Sequence, residues 1–260
     1  MMSTYYSRVT LLAICALALT LPACAGKKVK GDTAYLARDV NTLYGLAKES
    51  LDRREYTSSA KLFDEVERQH PYSIWARRAQ LMSAYSYYMA QTYPEAVSSA
   101  QRFLTIHPGN KDAPYASYLI AMSYYQQIAD VGRDQKITQQ ASDAFNELIR
   151  RYPQSRYAAD ARLKQDLILD HLAGKEMEVG RFYQRSGKWL AAATRFRIVI
   201  DKYQTTSHTP EALERLVETY FNLGMPGEAA KAAAVLGANY PGSVWYDRSY
   251  KLIQRNAPQG

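Results

Sequence analysis

The residues that could do chemistry in this chain are few and poorly spaced for it. The histidines are His70, His107, His171 and His208, and none has a carboxylate or second histidine at a metal-ligand spacing on one helix face. His70 and His107 fall in a turn column otherwise held by tyrosine, which makes them packing residues. Glu176 and Glu178, in Lys175-Glu176-Met177-Glu178, offer two carboxylates, a pattern far commoner on solvated helix faces than in acid–base pairs. A glycine-rich phosphate loop is missing. The cysteines are Cys15 and Cys24. If the segment holding Cys15 is removed, Cys24 is the last thiol, which excludes a disulfide framework, a zinc site and a second thiol nucleophile. An enzyme is the least expected reading, and no cofactor is expected; activity must come from binding.

The N-terminus explains Cys24. Met1 to Ser7 are uncharged, Arg8 is positive, and Val9 to Leu19 are apolar but for Thr10, the anatomy of a secretory signal. That run is far short of the ~20 residues a spanning helix needs. Leu21-Pro22-Ala23-Cys24 resembles the lipobox of bacterial lipoproteins, which implies an N-acyl diacylglyceryl group on Cys24. Ala23-Cys24-Ala25 also fits the small-x-small site of an ordinary secreted protein. The expected layout is a removed signal at 1–23 and a lipidated tether at 24–32, where Lys27, Lys28 and Lys30 lie beside the membrane or simply in solvent.

The net charge of +8 would suit nucleic acid, anionic lipid or acidic partners. Export argues against nucleic acid, and so does the interspersion of basic with acidic residues instead of a basic stripe.

What must position any binding surface is an internal repeat. His70-Pro71-Tyr72-Ser73, His107-Pro108-Gly109-Asn110, Tyr152-Pro153-Gln154-Ser155 and Tyr240-Pro241-Gly242-Ser243 are one turn written four times, and Tyr203-Gln204-Thr205-Thr206 is a fifth without its proline. Aligned on these turns, Phe63, Ala100, Phe145, Phe196 and Ala233 form one column. Val66, Phe103, Leu148, Val199 and Leu236 form the next, three residues on. Ala96, Ala141, Ala192 and Ala229 stand four residues before the first column, so all three lie on one helix face. Each period holds two helices, the second ending at the turn that proline stops.

These columns resemble the tetratricopeptide repeat, best at Gly180, Tyr183, Ala192 and Phe196. The expected fold is all-α, a superhelical solenoid of about five such helix pairs near 33–70, 73–107, 112–152, 156–203 and 208–240, plus a C-terminal helix near 244–255. The irregular spacing puts a loop at Asp130 to Asp134. It also requires the helix that begins near Tyr157 to run on or to break at Ala173-Gly174.

In such pairs the first helices line the concave side. Tyr87 and Tyr124 belong to the core by their column, whereas Tyr85, Tyr88, Met89, Tyr118, Met122 and Tyr125 do not. These six are the expected substrate groove, aromatic and methionine-rich, suited to an extended apolar peptide. The corresponding positions in the last repeat, Glu214, Glu218, Phe221 and Asn222, are more polar.

A lipobox followed by five such repeats resembles the BamD (ComL) family of outer-membrane assembly lipoproteins. The most specific segments are His171 to Tyr183 with Gly187-Lys188-Trp189-Leu190-Ala191-Ala192 and Arg195-Phe196, and Glu67-Arg68-Gln69-His70-Pro71-Tyr72-Ser73. The resemblance implies a lipid-anchored scaffold on the periplasmic side of the outer membrane. Repeats in 33–153 would receive unfolded β-barrel precursors, while 154–255 would dock on the periplasmic domains of BamA, beside other BAM lipoproteins. Arg195 is the implied BamA contact. An adaptor for peptidoglycan enzymes and a soluble periplasmic chaperone remain as alternatives.

Overall fold

The computed structural model describes residues 38–256, so Cys24, the signal at 1–23 and the tether at 24–32 lie outside the described residues. Those described form eleven helices and no strand: α1 Val40–Asp52, α2 Tyr56–Gln69, α3 Ile74–Met89, α4 Tyr93–Ile106, α5 Ala113–Tyr125, α6 Lys136–Arg151, α7 Arg156–Arg185, α8 Trp189–Lys202, α9 Thr209–Asn222, α10 Pro226–Asn239 and α11 Val244–Asn256. They make five helix pairs and a closing helix. The first helix starts at Val40, because the Asp39 carboxylate accepts from the N–H groups of Asn41 and Thr42, both at 3.1 Å, satisfying donors that a helix start otherwise leaves open.

The turn between pairs is one structure used five times. Each second helix ends where the N–H of His70, His107, Tyr152, Tyr203 or Tyr240 reaches back four residues, and that residue's own carbonyl then accepts from Ser73, Asn110, Ser155, Thr206 or Ser243. Tyr203 does this without a following proline, so the backbone hydrogen bond and not the ring defines the turn.

The turn within pairs repeats as well. Arg54, Gln91, Gly187 and Gly224 all adopt positive φ, at 62°, 61°, 70° and 71°. The residue after each donates its N–H five residues back, to Ser50, Tyr87, Tyr183 and Tyr220, closing the helix end in the left-handed manner that glycine accommodates best. In the third pair a longer loop replaces this turn. The Gln135 amide ties it by donating to the carbonyls of Asp130, Val131 and Arg133 at 3.3, 3.2 and 3.0 Å.

The aligned columns are the core. Phe63, Phe103, Phe145, Phe196, Leu148, Val66, Val199 and Leu236 are all essentially sealed from solvent. First helices of successive pairs touch one another at α1 and α3, α3 and α5, and α5 and α7, whereas no comparable contact joins successive second helices among the described residues. The first helices therefore share one side of the solenoid.

The helix beginning near Tyr157 does run on. α7 has 30 residues and is about 45 Å long at 1.5 Å per residue. Its interior contains no proline, and a glycine inside a helix costs only about 1 kcal/mol. Gly174 and Gly180 are both buried where neighbours press on the helix, so close packing offsets that cost.

Candidate peptide-binding groove

The shared side of α3, α5 and the first half of α7 carries a cluster of tyrosines. Tyr85 and Tyr88, three residues apart on α3, lie on one helix face and are half-buried against Ala84, Phe103 and Leu119. Tyr115 and Tyr118 repeat the spacing on α5. Tyr157, in the first turn of α7, stacks on Tyr118 with ring centres 5.0 Å apart and lies 5.4 Å from Tyr115. Tyr88 also meets Tyr93 of α4 at 6.0 Å and accepts a 3.4 Å hydrogen bond from Gln126.

One polar clasp joins the rows. The Tyr118 hydroxyl donates to Oδ2 of Asp160 at 2.6 Å, and Lys164 reaches Oδ1 of the same carboxylate at 2.9 Å. Lys164 Nζ also stands 5.6 Å from the centre of the Tyr125 ring, whose edge meets Phe145. Burial raises the Tyr118 pKa, and the bond to Asp160 raises it further. At Asp160, burial pushes upward, but the bonds from Tyr118 and Lys164 outweigh it and hold the carboxyl below its ordinary value. Burial likewise raises the Tyr115 pKa, with the hydroxyls of Tyr85, Tyr157 and Tyr88 adding to it.

The six residues expected to line the groove separate here. Tyr85, Tyr88, Tyr118 and Tyr125 are partly exposed around the cluster, and Met89 ends α3 half-buried. Met122 is corrected: at 9% exposure it is a core residue with Phe145, Leu148 and Ile168. It precedes Tyr125 by three residues, but the packing of α6 and α7 on α5 covers it.

The family model described as YfiO, outer membrane lipoprotein, matches residues 37–236. The outer membrane protein assembly factor BamD of Caulobacter vibrioides is 49% identical over 248 residues, covering 95% of this chain and 81% of that protein. The BamD of Rickettsia prowazekii is 44% identical over 244 residues, covering 94% and 96%. The chain belongs to the BamD family of outer-membrane lipoproteins. Among solved structures, the tetratricopeptide domain of P58(IPK) overlies it with a TM-score of 0.42 at 15% identity, covering 83% of this chain and 56% of that one.

Beyond the tyrosines, this BamD-family chain changes character. Between α7 and α9, Arg181 holds both oxygens of Glu211 at 3.2 Å, Arg215 bridges Glu211 at 3.0 Å and Gln184 at 3.1 Å, and Gln184 donates to Glu218 at 2.8 Å. Glu214 is buried, and that burial raises its pKa despite Arg215. Arg195, on α8, donates to Glu176 of α7 at 3.0 Å and is half-exposed. It lies in the second half of the family match, far in sequence from the tyrosine cluster.

Sequence reasoning missed Tyr115, Tyr157, Arg156, Leu163 and Leu167. Tyr115 was findable, being one helix turn before Tyr118. Leu163 and Leu167 are 67% and 60% exposed, an apolar pair one helix turn apart on α7. At offsets of seven and four, Arg156, Leu163 and Leu167 share a face of α7, adjoining the line of Asp160 and Lys164 that meets α5. Of the histidines, His107 packs edge-on to Phe103 at 5.4 Å, and His208 Nε2 lies 3.6 Å from Asp170. No group of three metal-ligating side chains forms among the described residues.

Proposed function

We propose that this chain is the scaffold lipoprotein of the outer-membrane β-barrel assembly complex, anchored by lipid on Cys24 at the periplasmic side. The tyrosine cluster of α3, α5 and α7 receives unfolded barrel precursors as extended apolar segments. The repeats from 154 to 255 dock on the periplasmic domains of BamA, with Arg195 in the contact, and further lipoproteins of the complex bind alongside. The chain acts by binding and holding, without chemistry of its own.

The observation that carries this reading is near-full-length similarity to proteins named assembly factor BamD, together with an array of half-exposed tyrosines spanning three successive first helices. Tyrosine suits the task, since a rigid aromatic body gives contact area and its hydroxyl tolerates water.

The test is a mild-detergent pull-down of the membrane-extracted full-length protein, with co-purifying partners identified by mass spectrometry. Stoichiometric recovery of a BamA-type barrel protein is expected, reduced for Arg195→Leu. Recovery of peptidoglycan enzymes in its place would transfer the chain to the adaptor reading. A mature N-terminus lacking acyl mass on Cys24 would remove the anchor.

A further inference from the structure

The turns within the fourth and fifth pairs, at Gly187 and Gly224, carry apolar side chains into solvent. Leu190 and Met225 are 73% and 44% exposed, and Phe182, in the last turn of α7, is 56% exposed. Leu223 lines one open recess with Trp189, Leu190 and Thr194, so the two turns share an edge of the solenoid. The repeat itself does not require these residues. The position of Leu190 holds Thr57, Pro94, Gln139 and Gly227 in the other pairs, and that of Phe182 holds Ser86, Ser123 and Thr219, all sealed from solvent. Charge sets this edge apart as well. Residues 179–200 contain Arg181, Arg185, Lys188, Arg195 and Arg197 but no Asp or Glu, and residues 222–227 carry no charge. Ion pairs engage Arg181 with Glu211 and Arg195 with Glu176. Arg185 and Lys188, both exposed, are in none among the described residues. The corresponding turn of the first pair, Asp52-Arg53-Arg54-Glu55, is charged throughout.

We propose that this edge rests on a phospholipid bilayer, with Trp189, Leu190 and Met225 at the level of the upper acyl chains and Arg185 and Lys188 on headgroup phosphates. A bilayer interface takes apolar side chains and cations together, favours tryptophan, and draws cations to anionic lipid. A carboxylate carried into that layer would lose hydration without gaining a partner, and this edge has none. Protruding turns suit a deformable surface, which needs no matching shape. The family description as an outer membrane lipoprotein puts a bilayer within reach of the chain. At 3.6 residues per turn, Arg195 lies about 140° round α8 from Leu190, so the membrane contact and the protein contact proposed for Arg195 use different sides. Neither the tyrosine groove nor acylation of Cys24 is required.

The test uses the full mature chain with Cys24→Ala, so that no acyl group fixes it to lipid, and vesicles of phosphatidylethanolamine and phosphatidylglycerol with brominated acyl chains. Co-sedimentation reads affinity, and quenching of tryptophan fluorescence reads insertion. The protein should bind and be quenched, and the quenching should vanish in Trp189→Phe, which leaves Trp75 and Trp245 in place. Leu190→Asp should lower the affinity about tenfold or more, because an apolar anchor is lost and a carboxylate takes its place. Val235→Asp, at an exposed valine of α10, should not. Arg185→Gln with Lys188→Gln should lower it about 25-fold, about fivefold for each cation near an anionic surface, and leave binding to phosphatidylcholine vesicles unchanged. Circular dichroism should show the same helicity in every variant. Absence of binding, or quenching that persists in Trp189→Phe, overturns the proposal. Binding carried by Lys27, Lys28 and Lys30 of the tether alone would survive Leu190→Asp, and that result overturns it too. If Leu190→Asp leaves vesicle binding intact but lowers recovery of a BamA-type protein from detergent extracts, the edge belongs to a protein partner and the bilayer assignment is wrong.

Discussion

Gly180 of α7 lies against the ring of Phe196 on α8, so closely that a Cβ added to the glycine would sit 2.5 Å from Cε1 of the phenylalanine. Phe196 is fully buried and packs in the C-terminal core with Ala173, Met177, Ala212 and Val217. Two helices of a pair can cross at this distance only where one presents bare backbone.

Gly180→Ala should therefore destabilise the fold even though alanine favours helix. Overpacking costs about 1–3 kcal/mol, against a helix-propensity gain of about 1 kcal/mol. Urea unfolding followed by circular dichroism should show a net loss. Gly45, in α1 with nothing near its missing side chain, is the control: Gly45→Ala should raise the midpoint.

Arg54 and Gln91 hold the left-handed position that Gly187 and Gly224 fill in later repeats. A side chain there costs about 1–2 kcal/mol, partly balanced by the greater freedom glycine has when unfolded. Arg54→Gly and Gln91→Gly should each stabilise by about 0.5–1 kcal/mol. Lowered melting temperatures in both would contradict the strain assigned to these turns.

Replacing Tyr85 and Tyr88 together by Ser should weaken binding of an aromatic-rich peptide by about tenfold or more, as loss of aromatic anchors usually does. Both are half-buried against Ala84 and Phe103, so some stability is lost as well, while far-ultraviolet circular dichroism should keep its helical amplitude. Fluorescence anisotropy reads the binding, and an unchanged affinity would remove these two residues from the groove.

The Tyr118–Asp160 bond predicts behaviour in base. The folded state holds the Tyr118 pKa above its ordinary value, so its contribution is complete below the unfolded pKa of about 10 and is lost as pH rises through the folded one. Absorbance at the phenolate band should show Tyr118 ionising later than exposed tyrosines, in a step missing from Tyr118→Phe. That variant should also lose stability less steeply with rising pH. Asp160 gives the opposite sign: its lowered pKa means the clasp weakens as pH falls through that value.

Much of this protein was legible in its sequence because a repeat writes the same local rule several times. Offsets of three and four residues decide which side of a helix is apolar, so Phe63, Phe145, Phe196 and Leu236 could be assigned to the core before any neighbour was known, and all are buried. The turn at Tyr203 was legible without its proline for the same reason. Tertiary structure decided which neighbour covers each face. Met122 and Tyr125 share a flank of α5, yet packing of α6 and α7 buries the first and leaves the second partly open. The unbroken course of α7 past Gly174 and the stacking of Tyr157 on Tyr118 both depend on helices distant in sequence. Periodicity within one helix cannot state them, because burial and charge pairing are properties of the space between elements.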